Sequence, residues 1–237
     1  MKRLVLLGGG HAHVHVLQAL AREPMPGAEV LLVSPHERQM YSGMVPGIVA
    51  GHYREEQGAI ALAPLARAAG VRFEATHAVA LDAAARRLTL ADGRIAEYDW
   101  LSLDVGGTIR RDTIPGARGQ ALFVRPIEAF MHHVQGLIEL GQRRVLDIVV
   151  VGGGAAGVEL ALAVEHRLAL GADGCRVRAG AERARVALVT GGPEPLAGYP
   201  EVVIRRAREA LARRRVTVFR EACAGIEPGQ LRLASGA

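Results

Sequence analysis

The sequence predicts an α/β fold made of two similar units, each built on a parallel sheet, and three observations carry that prediction. The first is a repeated segment. Leu4-Val5-Leu6-Leu7-Gly8-Gly9-Gly10-His11-Ala12-His13-Val14 returns 144 residues later as Ile148-Val149-Val150-Val151-Gly152-Gly153-Gly154-Ala155-Ala156-Gly157-Val158. Each copy is a short apolar run, a glycine cluster and a helix-compatible stretch, which is a strand–turn–helix. The second is the alternation of further apolar runs with helical patterns, the βαβ sign of a parallel sheet. The third is size. A chain of 237 residues, half of them apolar, has material for one large core or two smaller ones.

A glycine cluster between a strand and a helix has a physical use. A side chain there would hold a diphosphate away from main-chain N–H groups and from the positive end of the following helix. One such turn is weak evidence. Two, each opening a βαβ pattern, predict two Rossmann-like dinucleotide-binding units.

Composition narrows the alternatives. The net charge is +5 with 22% charged residues, and Lys2 is the only lysine. The densest basic run, Arg205 to Arg215, alternates with Val203, Ile204, Ala207, Ala210 and Leu211 at helical spacing, so it reads as an amphipathic helix with a solvated arginine face, not a nucleic-acid surface. Cys175 and Cys223 form no C-x-x-C pattern, which argues against a redox disulfide or a zinc site and places the chain in a reducing cytoplasm. The apolar run Leu4 to Leu7 is too short for a signal core, and nothing is long enough to span a bilayer. His11 and His15 share a helix face but His13 does not, so no metal centre is expected from that run.

Taken in order, Arg3 to Leu7 is the first strand and His11 to Arg22 the first helix, ended by Pro24 and Pro26-Gly27. Glu29 to Val33 is the second strand, closed by Ser34-Pro35. His13 stands where a third glycine or alanine is usual, and Ser34 where an acid usually holds ribose hydroxyls. Gln39 to Gly47 reads as an apolar loop able to bring backbone close to a flat ring such as a flavin. Ile60 to Ala69 reads as a helix. Val71 to Phe73, Ala78 to Leu81, Arg87 to Leu90 and Trp100 to Leu103 read as strands, separated by turns such as Asp92-Gly93. A helix over Ile127 to Leu140 leads to the second unit. There Ala156 to Leu168 is helical, Gly171 to Arg183 is a polar insertion, and Val186 to Val189 and Val216 to Phe219 are strands. No acid and no immediate arginine follows Val189, so neither NADH nor NADPH is favoured.

By Gly152 to Ala161 the sequence resembles the NAD(P)H-binding motif of the FAD-dependent pyridine nucleotide-disulfide oxidoreductase superfamily. Tyr41 to Gly47 is similar to the flavin-side loop of its type II NADH dehydrogenase-like members. Ala91-Asp92-Gly93, Tyr98-Asp99-Trp100-Leu101 and Asp104 to Gly107 are similar to the end of the first FAD segment. Gly8 to Val14 is closest to the branch found alone or fused to selenide, water dikinase. The resemblance runs along essentially the whole chain.

It implies residues 1–115 as a first FAD-binding segment, 116–144 as a connector with a helix, and 145–237 as a truncated NAD(P)H-binding domain, since a returning flavin-binding Gly-Asp segment is missing. Gly8, Gly10, His11 and Ala12 would lie on the FAD diphosphate, Ser34 and Pro35 by its ribose, and Ala78 by the adenine. Met44, Val45 and Pro46 would approach the isoalloxazine, and Gly106 would close over it. Gly152, Gly154, Ala155, Ala156, Gly157, Val158 and Thr190 would hold NAD(P)H, and Glu159 would orient the reacting rings as the catalytic residue.

The activity implied is hydride transfer from NAD(P)H to FAD and onward delivery of electrons to a quinone or other acceptor. Partners would be that acceptor, with at most peripheral membrane contact, no nucleic acid and a homodimer allowed. Two departures matter: Ala163 replaces a second acid frequent in the type II branch, and no cysteines flank the flavin as the sulfide:quinone branch requires. A non-catalytic nucleotide-binding module, or an accessory to selenium metabolism, is the alternative.

Overall fold

A computed structural model describes residues 1–170 and 184–236; the insertion expected at Gly171 to Arg183 and Cys175 within it lie outside the described residues. The chain divides into two compact units, residues 1–41 with 56–107 and residues 42–55 with 108–237.

The first unit begins with β1 (Lys2–Leu7), α1 (His11–Arg22) and β2 (Ala28–Ser34). Pairing is parallel, with Val5 opposite Leu31 and Leu7 opposite Val33. β3 (Arg38–Met40) follows, and then the chain passes through a 3₁₀ turn at Ser42–Met44 and α2 (Val45–Val49), both in the second unit. So the segment read as a loop is largely helical; Pro46 sits in the first turn of α2, where its missing N–H is not needed.

On return, β4 (Ala59–Ala61) pairs antiparallel with β3, and α3 covers Leu62–Ala68. The helix therefore starts two residues later than its apolar pattern suggests, because Ile60 is claimed by tertiary pairing with Gln39. β5 (Arg72–Ala75), β6 (Ala78–Asp82), β7 (Arg87–Leu90), β8 (Ile95–Glu97) and β9 (Trp100–Leu103) complete the unit. The parallel sheet runs β5-β2-β1-β9, and β6-β7-β8 form a separate antiparallel sheet.

Three layers result. On one face of the parallel sheet, Leu6, Val30 and Leu32 pack with Val14, Leu17 and Leu20 of α1 and with Leu62 and Ala66 of α3. On the other face, Val5, Leu31 and Val33 pack with Leu88, Leu90 and Tyr98 from the antiparallel layer. Successive residues of a strand point to opposite faces, so the stretches between the two layers, Leu4 to Leu7 of β1 and Val30 to Val33 of β2, are apolar at every position. Burying such a side chain fully contributes roughly 1.5–3 kcal/mol.

The second unit carries α4 (Ala117–Gln120), α5 (Ile127–Arg143), β10 (Asp147–Val151), α6 (Ala155–Leu168), β11 (Arg185–Val189), α7 (Glu201–Arg213), β12 (Thr217–Phe219), β13 (Cys223–Glu227) and β14 (Gln230–Leu233). Its parallel sheet runs β10-β11-β12, the order that β1, β2 and β5 have in the first unit. The arginine helix buries Ile204 and Leu211 and turns Arg205, Arg206 and Arg213 to solvent, as its periodicity requires. The β13–β14 hairpin was not anticipated. Pro228-Gly229, with Gly229 at φ 80°, forms its turn.

Candidate nucleotide site: two glycine turns

Both glycine turns lie at the carboxyl end of the first strand of a parallel sheet, and both open a helix without a side-chain cap. In each, the first glycine needs a backbone conformation that L side chains rarely adopt, φ 96° at Gly8 and 125° at Gly152. Its N–H donates to the carboxyl end of the neighbouring strand, Gly8 to the Val33 carbonyl and Gly152 to the Val189 carbonyl, at 2.8 Å each. The first glycine thus makes the same kind of bond to the neighbouring strand in both units.

The third position differs. In the second unit a methyl group at Gly157 would collide with the Gly152 carbonyl oxygen, so helix and strand approach as closely as glycine allows. In the first unit His13 takes that place. It is 1% exposed, its Nδ1 lies 2.6 Å from the Gly8 carbonyl oxygen, and its Nε2 lies 2.9 Å from Ser102 Oγ in β9. A carbonyl only accepts, so Nδ1 carries the proton, and in the neutral ring Ser102 donates to Nε2. The imidazole sits behind the turn, inside the fold.

The open main-chain donors are those a diphosphate needs. Among the described residues the N–H groups of His11 and Ala12 have no partner, and the His11 Nε2 is buried and unpartnered. The His11 ring meets the edge of Tyr41 at 5.0 Å. The third donor of α1, His13 N–H, goes to Asp104 Oδ2 at 3.1 Å, while the Asp104 carbonyl accepts from Gly10 N at 3.2 Å. Asp104 also packs against Gly8 and Gly10 so closely that neither could carry a Cβ.

Around α6 the cradle is emptier. A Cβ on Gly152 or Gly154 would meet nothing within 4 Å, and the N–H groups of Gly154, Ala155, Ala156 and Gly157 have no partner among the described residues. The loop after β11 closes on this turn through Leu196, whose N–H donates to the Gly153 carbonyl at 2.7 Å from a left-handed conformation (φ 59°). Nothing in the local sequence marks Leu196 for that conformation.

The hydroxyls at the ends of the second strands behave alike. Ser34, 3% exposed, donates to the His36 carbonyl at 3.0 Å, and Thr190 donates to the Gly192 carbonyl at 2.5 Å. Each lies against the middle glycine of its turn, Ser34 against Gly9 and Thr190 against Gly153. Both spend their proton on their own loop.

The remaining candidates are distributed by unit. Pro35 is exposed beside Ser34, Ala78 opens β6 opposite Leu90, and Gly106 is exposed at φ 69°. Met44 and Pro46 are half-buried and Val45 buried, in the second unit, where α2 packs on α6. Val158 is a buried residue of α6, and Glu159 is exposed one turn into the helix, its carboxylate unpaired among the described residues.

Sequence reading missed one cluster. His52, just past α2, has its Nε2 3.3 Å from Nε2 of His166 near the end of α6. The Arg214 guanidinium donates to His166 Nδ1 at 2.9 Å, so in the neutral ring His166 donates from Nε2 to His52. A separation of 114 residues hides this pair from any local pattern.

Comparison with known proteins places this geometry. The family model described as pyridine nucleotide-disulphide oxidoreductase matches residues 2–228. Demethylphylloquinone reductase of Synechocystis sp. is 25% identical over 92% of this chain and 54% of its own length. Alternative NAD(P)H-ubiquinone oxidoreductase C1 of Arabidopsis thaliana is 26% identical over 70% of this chain and 36% of its own.

Among solved structures, the sulfide:quinone oxidoreductase of Aquifex aeolicus superposes with a TM-score of 0.79 at 21% identity, covering 100% of this chain and 56% of that one. NDH2 of Plasmodium falciparum in complex with NADH gives 0.80 at 14% identity, covering 98% and 50%. The chain therefore spans about half the length of these relatives or less. With the fold, both turns and a family match along nearly all of its residues, the chain belongs to the pyridine nucleotide-disulphide oxidoreductase family.

Proposed function

We propose that this chain carries the nucleotide-binding machinery of a FAD-dependent NAD(P)H oxidoreductase that passes electrons to a quinone. The observation that carries the reading is the pair of glycine turns, each presenting unpartnered N–H groups at a helix N-terminus. The quinone acceptor rests on relatives named as quinone reductases.

The residues of the first turn fit a flavin dinucleotide. His11 and Ala12 N–H would hold its diphosphate, and the orphaned His11 Nε2 gives a third donor or acceptor beside them. FAD, when bound, supplies a two-electron acceptor that can release electrons onward. The chain's part is binding and orientation. Gly154, Ala155 and Ala156 would grip the nicotinamide nucleotide, and Glu159, free of any ion pair among the described residues, would orient its reacting end. No described helix is long and apolar enough to cross a membrane. Action in the cytoplasm, reaching quinone by peripheral contact, is part of this proposal.

One observation favours a second reading, a nucleotide-binding module without catalysis. The Asp104 carboxylate stands at the N-terminus of α1 and opposes an incoming anion. Anaerobic titration of the FAD-reconstituted chain with NADH and NADPH separates the two. Bleaching of oxidised flavin supports the oxidoreductase; FAD that binds yet stays oxidised with both nucleotides supports the module.

A further inference from the structure

We infer that the second unit selects the 2′-phosphorylated nucleotide, NADPH, and that Arg220 reads the phosphate. The inference rests on the proposal that this unit binds a nicotinamide nucleotide and specifies which one.

The ribose end of a dinucleotide fold lies at the carboxyl end of the second strand, here Val189 to Gly192. Selection for NADH uses a carboxylate at that point, which accepts from the ribose hydroxyl and repels a phosphate. None is free here. Thr190 is turned into its own loop, donating to the Gly192 carbonyl. Glu194 faces Arg208 at 4.0 Å, and Glu221 accepts from the Ser235 N–H at 2.9 Å. Gly191 and Gly192 have no heavy atom within 4 Å of where a Cβ would stand, so the loop leaves room for an added group.

A cation stands beside that room. Thr190 N–H donates to the Phe219 carbonyl at 2.9 Å, and Gly191 N–H donates to the Glu221 carbonyl at 3.1 Å. Arg220 is bracketed by these two bonds, at the end of β12 alongside Thr190 and Gly191. Its side chain is exposed and has no ion pair among the described residues. A planar guanidinium with no carboxylate partner is suited to a phosphate monoester, which it grips through two parallel N–H donors. Arg220 follows Thr190 by 30 positions, so the strand order, not the local sequence, brings it to the ribose end.

Calorimetric titration of the chain with 2′,5′-ADP and with 5′-AMP, which differ only in the 2′-phosphate, tests this without any flavin. The chain binds 2′,5′-ADP about tenfold to a hundredfold more tightly than 5′-AMP, the span of one charge-assisted pair. Arg220→Gln removes that preference and leaves the binding of 5′-AMP, which lacks the group it reads, unchanged. Equal or tighter 5′-AMP binding, or a preference that survives Arg220→Gln, overturns the inference while the nucleotide site stands. Failure of both nucleotides to bind overturns the inference and the proposed role of the second unit together.

Discussion

The Nδ1–H of His13 donates to the carbonyl oxygen of Gly8 at 2.6 Å, and that carbonyl is the counterpart of the one that Gly157 presses against in the second unit. One turn is thus braced by close approach of bare backbone, the other by an imidazole that reaches on to Ser102. The imidazole satisfies the carbonyl of the buried Gly8, which would otherwise carry a desolvation cost of about 1–3 kcal/mol.

Removing the brace should therefore destabilise the first unit selectively. His13→Ala leaves the Gly8 carbonyl and the Ser102 hydroxyl unsatisfied beside a cavity, a loss of about 2–4 kcal/mol. Ser102→Ala should cost about 1 kcal/mol, since the hydroxyl and only one bond disappear. Urea unfolding midpoints of the two variants check the order.

Asp104 is expected to weaken anion binding at α1. Asp104→Asn keeps an oxygen for the His13 N–H but removes the charge at the helix N-terminus, so FAD should bind about three- to tenfold more tightly. Flavin fluorescence quenching against concentration measures it. An unchanged affinity would mean that the diphosphate does not sit at this terminus.

The acid side of the stability curve should report Asp99. Its carboxylate is held below the ordinary range, first by accepting from the Arg3 N–H at 2.7 Å and then by Lys2. A depressed folded value stabilises fully above the unfolded value near about 3.9 and is lost as pH falls through the folded one. Asp99→Asn should lower stability at neutral pH, where that contribution is fully present, and flatten the loss below about pH 4, so that the two chains converge in acid.

Much of the fold was legible because the glycine turns and the apolar strands are local signals. The bounds of α1 followed from Gly10 and Pro24, and the strands from runs such as Val149 to Val151. The β3–β4 pairing was not legible, since Ile60 fits a helix until Gln39 is brought beside it. Of the candidate site, the backbone donors could be read and their competitors could not. Asp104 reaches the α1 terminus across 91 residues, and Leu196 adopts a conformation its sequence does not advertise. Ser34 and Thr190 stood at the expected strand ends, yet only the structure shows both hydroxyls closed on their own loops.

The two turns also differ in what they tolerate. Gly154 has φ −75° and ψ −179°, which any residue can adopt, and its Cβ would project into open space. Gly10, with similar dihedral angles, would drive a side chain into the Asp104 carboxylate. The second turn therefore allows a substitution that fills the cradle and spares the fold. For Gly154→Val, the account predicts an unfolding midpoint like that of the parent chain and a loss of adenine dinucleotide binding of at least about a hundredfold. A Gly154→Val chain that is equally stable and binds as before would contradict it, because the nucleotide would then be held somewhere other than against the bare main chain of this turn.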